Sequence, residues 1–209
     1  RKKYGVELCE LYGYEFENLY EKLEKDNDIK LKRVLSAKEL FKSIMKTQLE
    51  TGMPYIFFKD RANEVNHNSH MGMIGNGNLC MESFSNFKPT INFVEEEDGN
   101  TSIRRSEMGE IHTCNLISLN LAELTSEELE KHVALAVRAL DNTIDLTVTP
   151  LKESNKHNLM YRTIGVGAMG LADYLAREYM IYEESINEIN ELFERIALYS
   201  IKASALLAK

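Results

Sequence analysis

Short apolar runs alternate with amphipathic helical stretches along this sequence, and that alternation constrains the fold more than any other feature. Tyr12, Phe16, Leu19 and Leu23 recur at helical spacing. Ser36 with Glu39 three residues on has the form of a capping box, and Leu40, Phe41, Ile44 and Met45 continue a helix from it. Thr51-Gly52-Met53-Pro54 ends that helix, because glycine and proline do not continue one comfortably. Tyr55-Ile56-Phe57-Phe58 predicts a strand buried on both faces. Residues 60–78, with five Asn and three Gly, predict a loop, and residues 95–110 a solvated surface loop. Ile111 to Leu121 predicts a second buried strand. Thr125 with Glu128 opens a helix carrying Leu129, Val133, Val137 and Leu140 on one face. A third strand is expected over Tyr161–Val166, then a helix from about Ala168 to Arg177. A last helix from about Glu184 has Ile189, Leu192, Phe193, Ile196 and Ile201 as its stripe. The expected class is α/β, with a mainly parallel sheet or barrel. No internal repeat or linker divides the chain.

Composition narrows the function classes. The chain has 209 residues and a net charge of −8, with 44% hydrophobic and 28% charged residues. That balance excludes collagen, a disulfide scaffold and wholesale disorder. The acidic surplus argues against broad nucleic-acid binding, which needs a basic face. No apolar run approaches the roughly 18 residues of a membrane span, and no secretory signal is expected. Cys9, Cys80 and Cys114 are widely spaced, with no C-x-x-C pair, so a reducing, cytoplasmic setting is expected. The sequence starts without Met and stops at Lys209 inside a helical pattern, so it reads as a piece of a longer polypeptide.

Asn78, Cys80 and Glu82 stand two apart. In an extended segment they share one face, presenting an amide, a thiol and a carboxylate to one pocket. The carboxylate can act as a base, the amide can orient a hydroxyl, and the thiol can be a nucleophile, a ligand or a radical carrier. The plainer alternative is a buried strand cysteine with polar ends. Cys114 lies in a second apolar stretch, where packing is an equally good account; Cys9 is assigned to packing. Two thiols on neighbouring strands could also face one cavity and do redox chemistry. His67, His70 and His112 are read as solvated or structural, so no metal site is expected. Gly165-Val166-Gly167-Ala168-Met169-Gly170 satisfies G-x-G-x-x-G. The strand before it is thin, with Arg162 in its middle, so the glycines are read as aids to close strand-to-helix packing. Dinucleotide binding stays open as an alternative.

Asn78-Leu79-Cys80-Met81-Glu82 resembles the N-L-C-x-E finger-loop motif of class I ribonucleotide reductase large subunits. Further blocks resemble that family in unchanged order. They are Tyr12-Gly13 with Phe16, Leu19 and Tyr20; Thr51 to Tyr55 with Lys59, Asp60 and Asn63; Cys114-Asn115-Leu116; Leu140-Asp141-Asn142 with Ile144-Asp145; and Arg162 to Gly167 with Gly170-Leu171-Ala172-Asp173. Gly77 and Ser83 depart from the Ser and Ile that often flank the motif.

The resemblance implies a ten-stranded α/β barrel with a central finger loop, of which residues 1–209 are a central, catalytic fragment, inactive alone. It implies that Cys80 is a transient thiyl radical that abstracts the ribose 3′ hydrogen of a ribonucleoside diphosphate inside a water-poor chamber. Glu82 takes the 3′-hydroxyl proton, Asn78 hydrogen-bonds the sugar, and Leu79 and Met81 complete the substrate contact. Cys114 is implied to be one of two redox thiols, its partner lying outside this chain. The implied partners are a small, metal-containing, radical-generating subunit, a thioredoxin or glutaredoxin-type reductant and a second copy of the full-length chain. No cofactor is implied within this chain, and the ATP and deoxynucleotide effectors are implied to bind outside it. Neither a membrane nor a nucleic acid is implied as a partner.

Overall fold

The computed structural model describes residues 4–97 and 101–208. The chain divides into two compact units, Arg1–Gly109 and Glu110–Lys209.

The first unit begins with helix α1 (Gly13–Lys25) and helix α2 (Ala37–Thr51). Ser36 caps α2 by accepting the Glu39 backbone N–H at 3.4 Å. Gly52 ends the helix at φ 74°, a left-handed conformation that suits glycine. The expected strand at 55–58 does not form. That segment has no ladder partner among the described residues, and Tyr55, Ile56 and Phe58 are exposed, while the Phe57 ring stacks on Phe84 at 5.3 Å. An apolar run supplies the burial a strand needs but not the neighbour that makes it one.

The Asn-rich segment is more ordered than its composition suggests. Helix α3 (Lys59–Glu64) leads to strand β1 (Ile74–Gly77), which pairs antiparallel with β2 (Phe84–Asn86). Asn63 Nδ2 donates to the Ile74 carbonyl and its Oδ1 accepts the Ile74 N–H, both at 2.9 Å. Asn66 Nδ2 donates to Asn86 Oδ1 at 2.9 Å, and Asn86 Nδ2 donates to the Asn68 carbonyl at 2.9 Å. Asn63 and Asn86 are buried, so these carboxamides replace the water that the backbone groups would otherwise bind. The surface loop expected over 95–110 is instead largely a hairpin. Strand β3 (Ile91–Glu97) pairs antiparallel with β4 (Thr101–Glu107), from Ile91 opposite Glu107 to Glu97 opposite Thr101. Charge misled the expectation, because a ladder is made by backbone pairing and an acidic run does not forbid it.

In the second unit, β5 (Leu116–Asn120) pairs parallel with β6 (Gly165–Met169) in register, Leu116 opposite Gly165 and Asn120 opposite Met169. A parallel pair needs a crossover, and helices α4 (Leu129–Leu146) and α5 (Lys152–Tyr161) lie within it. The third strand starts later than its apolar run predicts. Tyr161 closes α5, and Arg162 turns the chain at φ 47° before β6 starts. Helices α6 (Leu171–Arg177) and α7 (Ile186–Leu207) complete the unit. Leu129, Val133, Ala136, Val137, Leu140 and Ile144 are the buried face of α4, as its periodicity predicts. Leu119, Leu121, Leu129, Val133, Ala136 and Ile196 form the core cluster. Of the expected α7 stripe, Ile196 is buried and Leu192 packs on this core, whereas Phe193 and Ile201 are exposed.

The mixed α/β class stands, and β5–β6 is the kind of parallel pair expected. The other two sheets among the described residues are antiparallel pairs.

Candidate active site

The segment 78–83 is the tip of the β1–β2 hairpin, and Cys80 is exposed on it. Asn78 organises the tip. Its N–H donates to the Ser83 carbonyl at 3.1 Å, and its carbonyl accepts the Met81 N–H at 3.1 Å. Its side-chain Oδ1 accepts the N–H groups of Glu82 and Ser83, both at 3.0 Å. This is an asparagine closing a turn on its own downstream backbone. Met81 takes φ 62° within it.

That arrangement corrects the extended reading of residues 78, 80 and 82. The segment turns, and the Asn78 side-chain oxygen binds the backbone across the loop. Asn78 is half-buried, whereas Leu79, Cys80 and Glu82 are exposed, and Met81 is half-buried. A buried strand cysteine is likewise not what position 80 holds. A Cβ on Gly77 would lie 2.5 Å from Phe84 Cε1 and 3.0 Å from Met81 Sδ, so glycine at 77 lets the Phe84 ring close under the tip.

Cys114 belongs to the second unit. It is exposed immediately before β5, not buried as apolar packing would have it. Its segment is fastened along α5. Ile111 N–H donates to the Glu153 carbonyl at 3.3 Å. Glu110 is 2% exposed, and its carboxylate meets Lys156 Nζ at 3.1 Å and accepts from the Tyr161 hydroxyl at 3.1 Å. The fully buried His157 ring lies 4.6 Å from the Tyr161 ring and 5.3 Å from that of His112. A buried carboxylate is tolerable only when paired and hydrogen-bonded in this way. Cys9 is also exposed, with its Sγ 3.7 Å from Glu7 Oε2, so packing does not account for it.

Arg162 anchors the start of β6. Its Nε donates to Asp141 Oδ1 at 2.8 Å, and Nη1 and Nη2 donate to the Asp145 carboxylate at 2.8 and 3.1 Å. Hydrogen bonds from Arg162 hold the Asp145 carboxyl below its usual range, and both aspartates raise the guanidinium. In the first unit, Lys59 Nζ donates to the carbonyls of Cys9 and Leu11 at 2.7 and 2.8 Å, and burial lowers its pKa.

The glycine run does not have the placement a dinucleotide fingerprint needs. Gly165 and Gly167 lie inside β6, not in a loop after it, and only Gly170 precedes a helix. A Cβ on Gly165 would stand 2.5 Å from Leu116 Cδ2, and one on Gly170 2.6 Å from Asn120 Oδ1. These glycines admit neighbouring side chains of the parallel pair. His67 and His70 sit in the turns before β1, and no group of three His, Cys, Asp or Glu among the described residues is placed to hold a metal ion.

The profile of the ribonucleotide reductase barrel domain matches residues 2–209. The chain belongs to that family. It is 46% identical over 211 residues to the ribonucleoside-diphosphate reductase subunit alpha of Synechocystis sp., covering 100% of this chain and 25% of that protein. The subunit alpha of Helicobacter pylori is 36% identical over 243 residues, covering 97% of the chain and 31% of the relative. The ribonucleoside-diphosphate reductase large chain of Neurospora crassa is 33% identical over 212 residues, covering 97% and 21%. The chain thus spans about a quarter of the length of the Synechocystis relative. Among the described residues, no helix is long and apolar enough to cross a membrane.

Three features escaped sequence reading: in the first unit the Asn63 and Asn66–Asn86 carboxamide bonds, and in the second unit the Glu110 cluster and the Arg162 clamp. Asp141 and Asp145, four apart on α4, were the legible sign of the clamp, since i, i+4 residues share a helix face.

Proposed function

We propose that this chain is the central part of a ribonucleoside-diphosphate reductase large subunit, and that Cys80 is its radical-bearing thiol. The observation that carries the reading is the family match over residues 2–209, with Asn78-Leu79-Cys80-Met81-Glu82 on a hairpin tip that offers Cys80 outward. The proposed whole is a ten-stranded α/β barrel with the β1–β2 hairpin as its finger. Exposed Tyr55, Ile56, Phe58 and Leu79 support a larger packed body around it.

The chemistry follows from the side chains. A thiyl radical at Cys80 abstracts the 3′ hydrogen of a ribonucleoside diphosphate; an S–H bond forms as a C–H bond of similar strength breaks. Glu82 accepts the 3′-hydroxyl proton, and the 2′-hydroxyl leaves as water. Two thiols, Cys114 and one outside this chain, become a disulfide and supply two electrons and two protons; Cys80 then returns its hydrogen to C3′, which re-forms the C–H bond and restores the thiyl radical. Asn78 hydrogen-bonds the reacting sugar from its place at the base of the tip. The radical comes from a metal-containing small subunit, and a thioredoxin or glutaredoxin-type protein reduces the disulfide. A closed chamber formed by the rest of the barrel keeps water from the radical.

The test is Cys80→Ser in the full-length parent with its small subunit and a dithiol reductant. Deoxynucleotide formation should disappear while nucleoside diphosphate binding, measured by equilibrium dialysis, stays near that of the parent. Turnover surviving in C80S would remove Cys80 from this role.

A further inference from the structure

We propose that Asn158 is a positioning residue that fixes the direction in which Cys114 presents its thiol. The inference rests on the reading above that Cys114 is a redox thiol.

Asn158 lies on α5 and is 3% exposed. Its side-chain Oδ1 accepts from two residues, Thr113 Oγ1 at 2.5 Å and Asn115 Nδ2 at 3.3 Å. These are the residues on either side of Cys114. Asn115 Nδ2 also donates to the Thr163 carbonyl at 3.1 Å, and the Asn115 carbonyl accepts the Gly165 N–H at 2.9 Å. The β5 ladder is therefore already joined at position 115.

Burial shows the same pattern. Thr113, Asn115 and Ile117 are half-buried and Leu119 is buried, whereas Cys114, Leu116, Ser118 and Asn120 are exposed. That is the period of two of an extended chain, whose alternate side chains point to opposite sides. Fastening positions 113 and 115 to one buried oxygen leaves position 114 only the other side. The Cys114 thiol is thus committed outward by a bond pair it does not share. A thiol that must meet a second thiol, pass on its electrons and be reduced again needs that fixed outward geometry, since exchange depends on access to the sulfur.

The experiment uses the full-length protein with its small subunit and a dithiol reductant. Asn158→Ala removes the shared acceptor; Asn158→Asp keeps an acceptor oxygen at the same place. In N158A, kcat should fall by roughly tenfold, with KM for the nucleoside diphosphate within about twofold of the parent. In the resting protein, alkylation of Cys114 by iodoacetamide, normalised to Cys80 by peptide mass spectrometry, should slow by roughly fivefold or more. N158D should recover most of both. An unchanged alkylation ratio in N158A overturns the proposal, as does a loss that N158D shares in full. If N158A does not fold, Thr113→Val deletes one of the two donors, and an alkylation ratio unchanged there also overturns it. Cys114→Ser separates the two readings: full turnover in C114S would defeat the redox assignment, while the alkylation ratio still decides the positioning role.

Discussion

Replacing Asn63 with alanine should loosen the hairpin that carries Cys80 while leaving the second unit intact. Asn63 is 5% exposed and Ile74 6% exposed, so the two bonds between them are shielded from water. The Asn63 side chain satisfies both the N–H and the carbonyl of Ile74, each at 2.9 Å. A net hydrogen bond is worth about 1 kcal/mol, and a buried group left unpaired loses about 1–3 kcal/mol. Water can enter part of the space vacated by the carboxamide, so we take about 3 kcal/mol for the pair, near the low end of the sum. Tenfold in an equilibrium constant is about 1.4 kcal/mol, so local opening of the hairpin should become roughly 100-fold more frequent. Hydrogen exchange with mass spectrometry on the full-length parent reads this directly. Peptides covering 72–88 should lose about two decades of protection, while those covering α4 keep theirs. Asn63→Leu, which restores volume but no hydrogen bonds, should behave like N63A. Undiminished protection over 72–88 in both variants would refute the claim that Asn63 holds the hairpin to α3.

Asn78→Asp should keep the tip closed, because its carboxylate still offers an oxygen to the Glu82 and Ser83 N–H groups; Asn78→Ala should open it. Exchange at residues 82 and 83 should rise in N78A only, whereas turnover should fall in both variants if the amide nitrogen also serves the substrate. Gly109→Ala places a methyl 2.1 Å from the Lys88 carbonyl oxygen and 2.5 Å from the Pro89 carbonyl carbon. Backbone atoms must move, and a loss of about 3 kcal/mol is expected, read as a shift in the urea midpoint. Arg162→Met tests the clamp through pH. Asp145 has a folded pKa below its unfolded value of about 3.9, so its contribution is present above that pH and is lost as pH falls through the folded value. The difference in Tm between parent and R162M should be steady from about pH 5 to 7 and shrink below about pH 4. A gap that does not change with pH would show that Arg162 acts through packing alone.

What the sequence determined by itself is the local architecture that a short window encodes. The α4 face of Leu129, Val133, Val137 and Leu140, the Ser36 cap and the Gly52 stop depend on residues within a turn or two of one another, so their spacing suffices. The ordered motif blocks around Cys80, Cys114 and Gly165 were legible for the same reason, each being a contiguous string of residues. Tertiary structure decided whatever needed a partner far away in the chain. Tyr55–Phe58 had the residues of a buried strand but no neighbour to pair with among the described residues, whereas the glutamate-rich 91–97 stretch found one in 101–107. Asparagines at 63 and 66 read as loop formers, yet their amides fill hydrogen bonds to groups up to 20 residues away. The turn at Asn78 displaced an extended reading because one side-chain oxygen could satisfy two backbone donors at once. Asn158 carried no signal in its own neighbourhood, since the residues it fastens lie 43 and 45 positions earlier. Periodicity reports which face of an element is apolar; only the folded chain reports what that face, or a buried amide, meets.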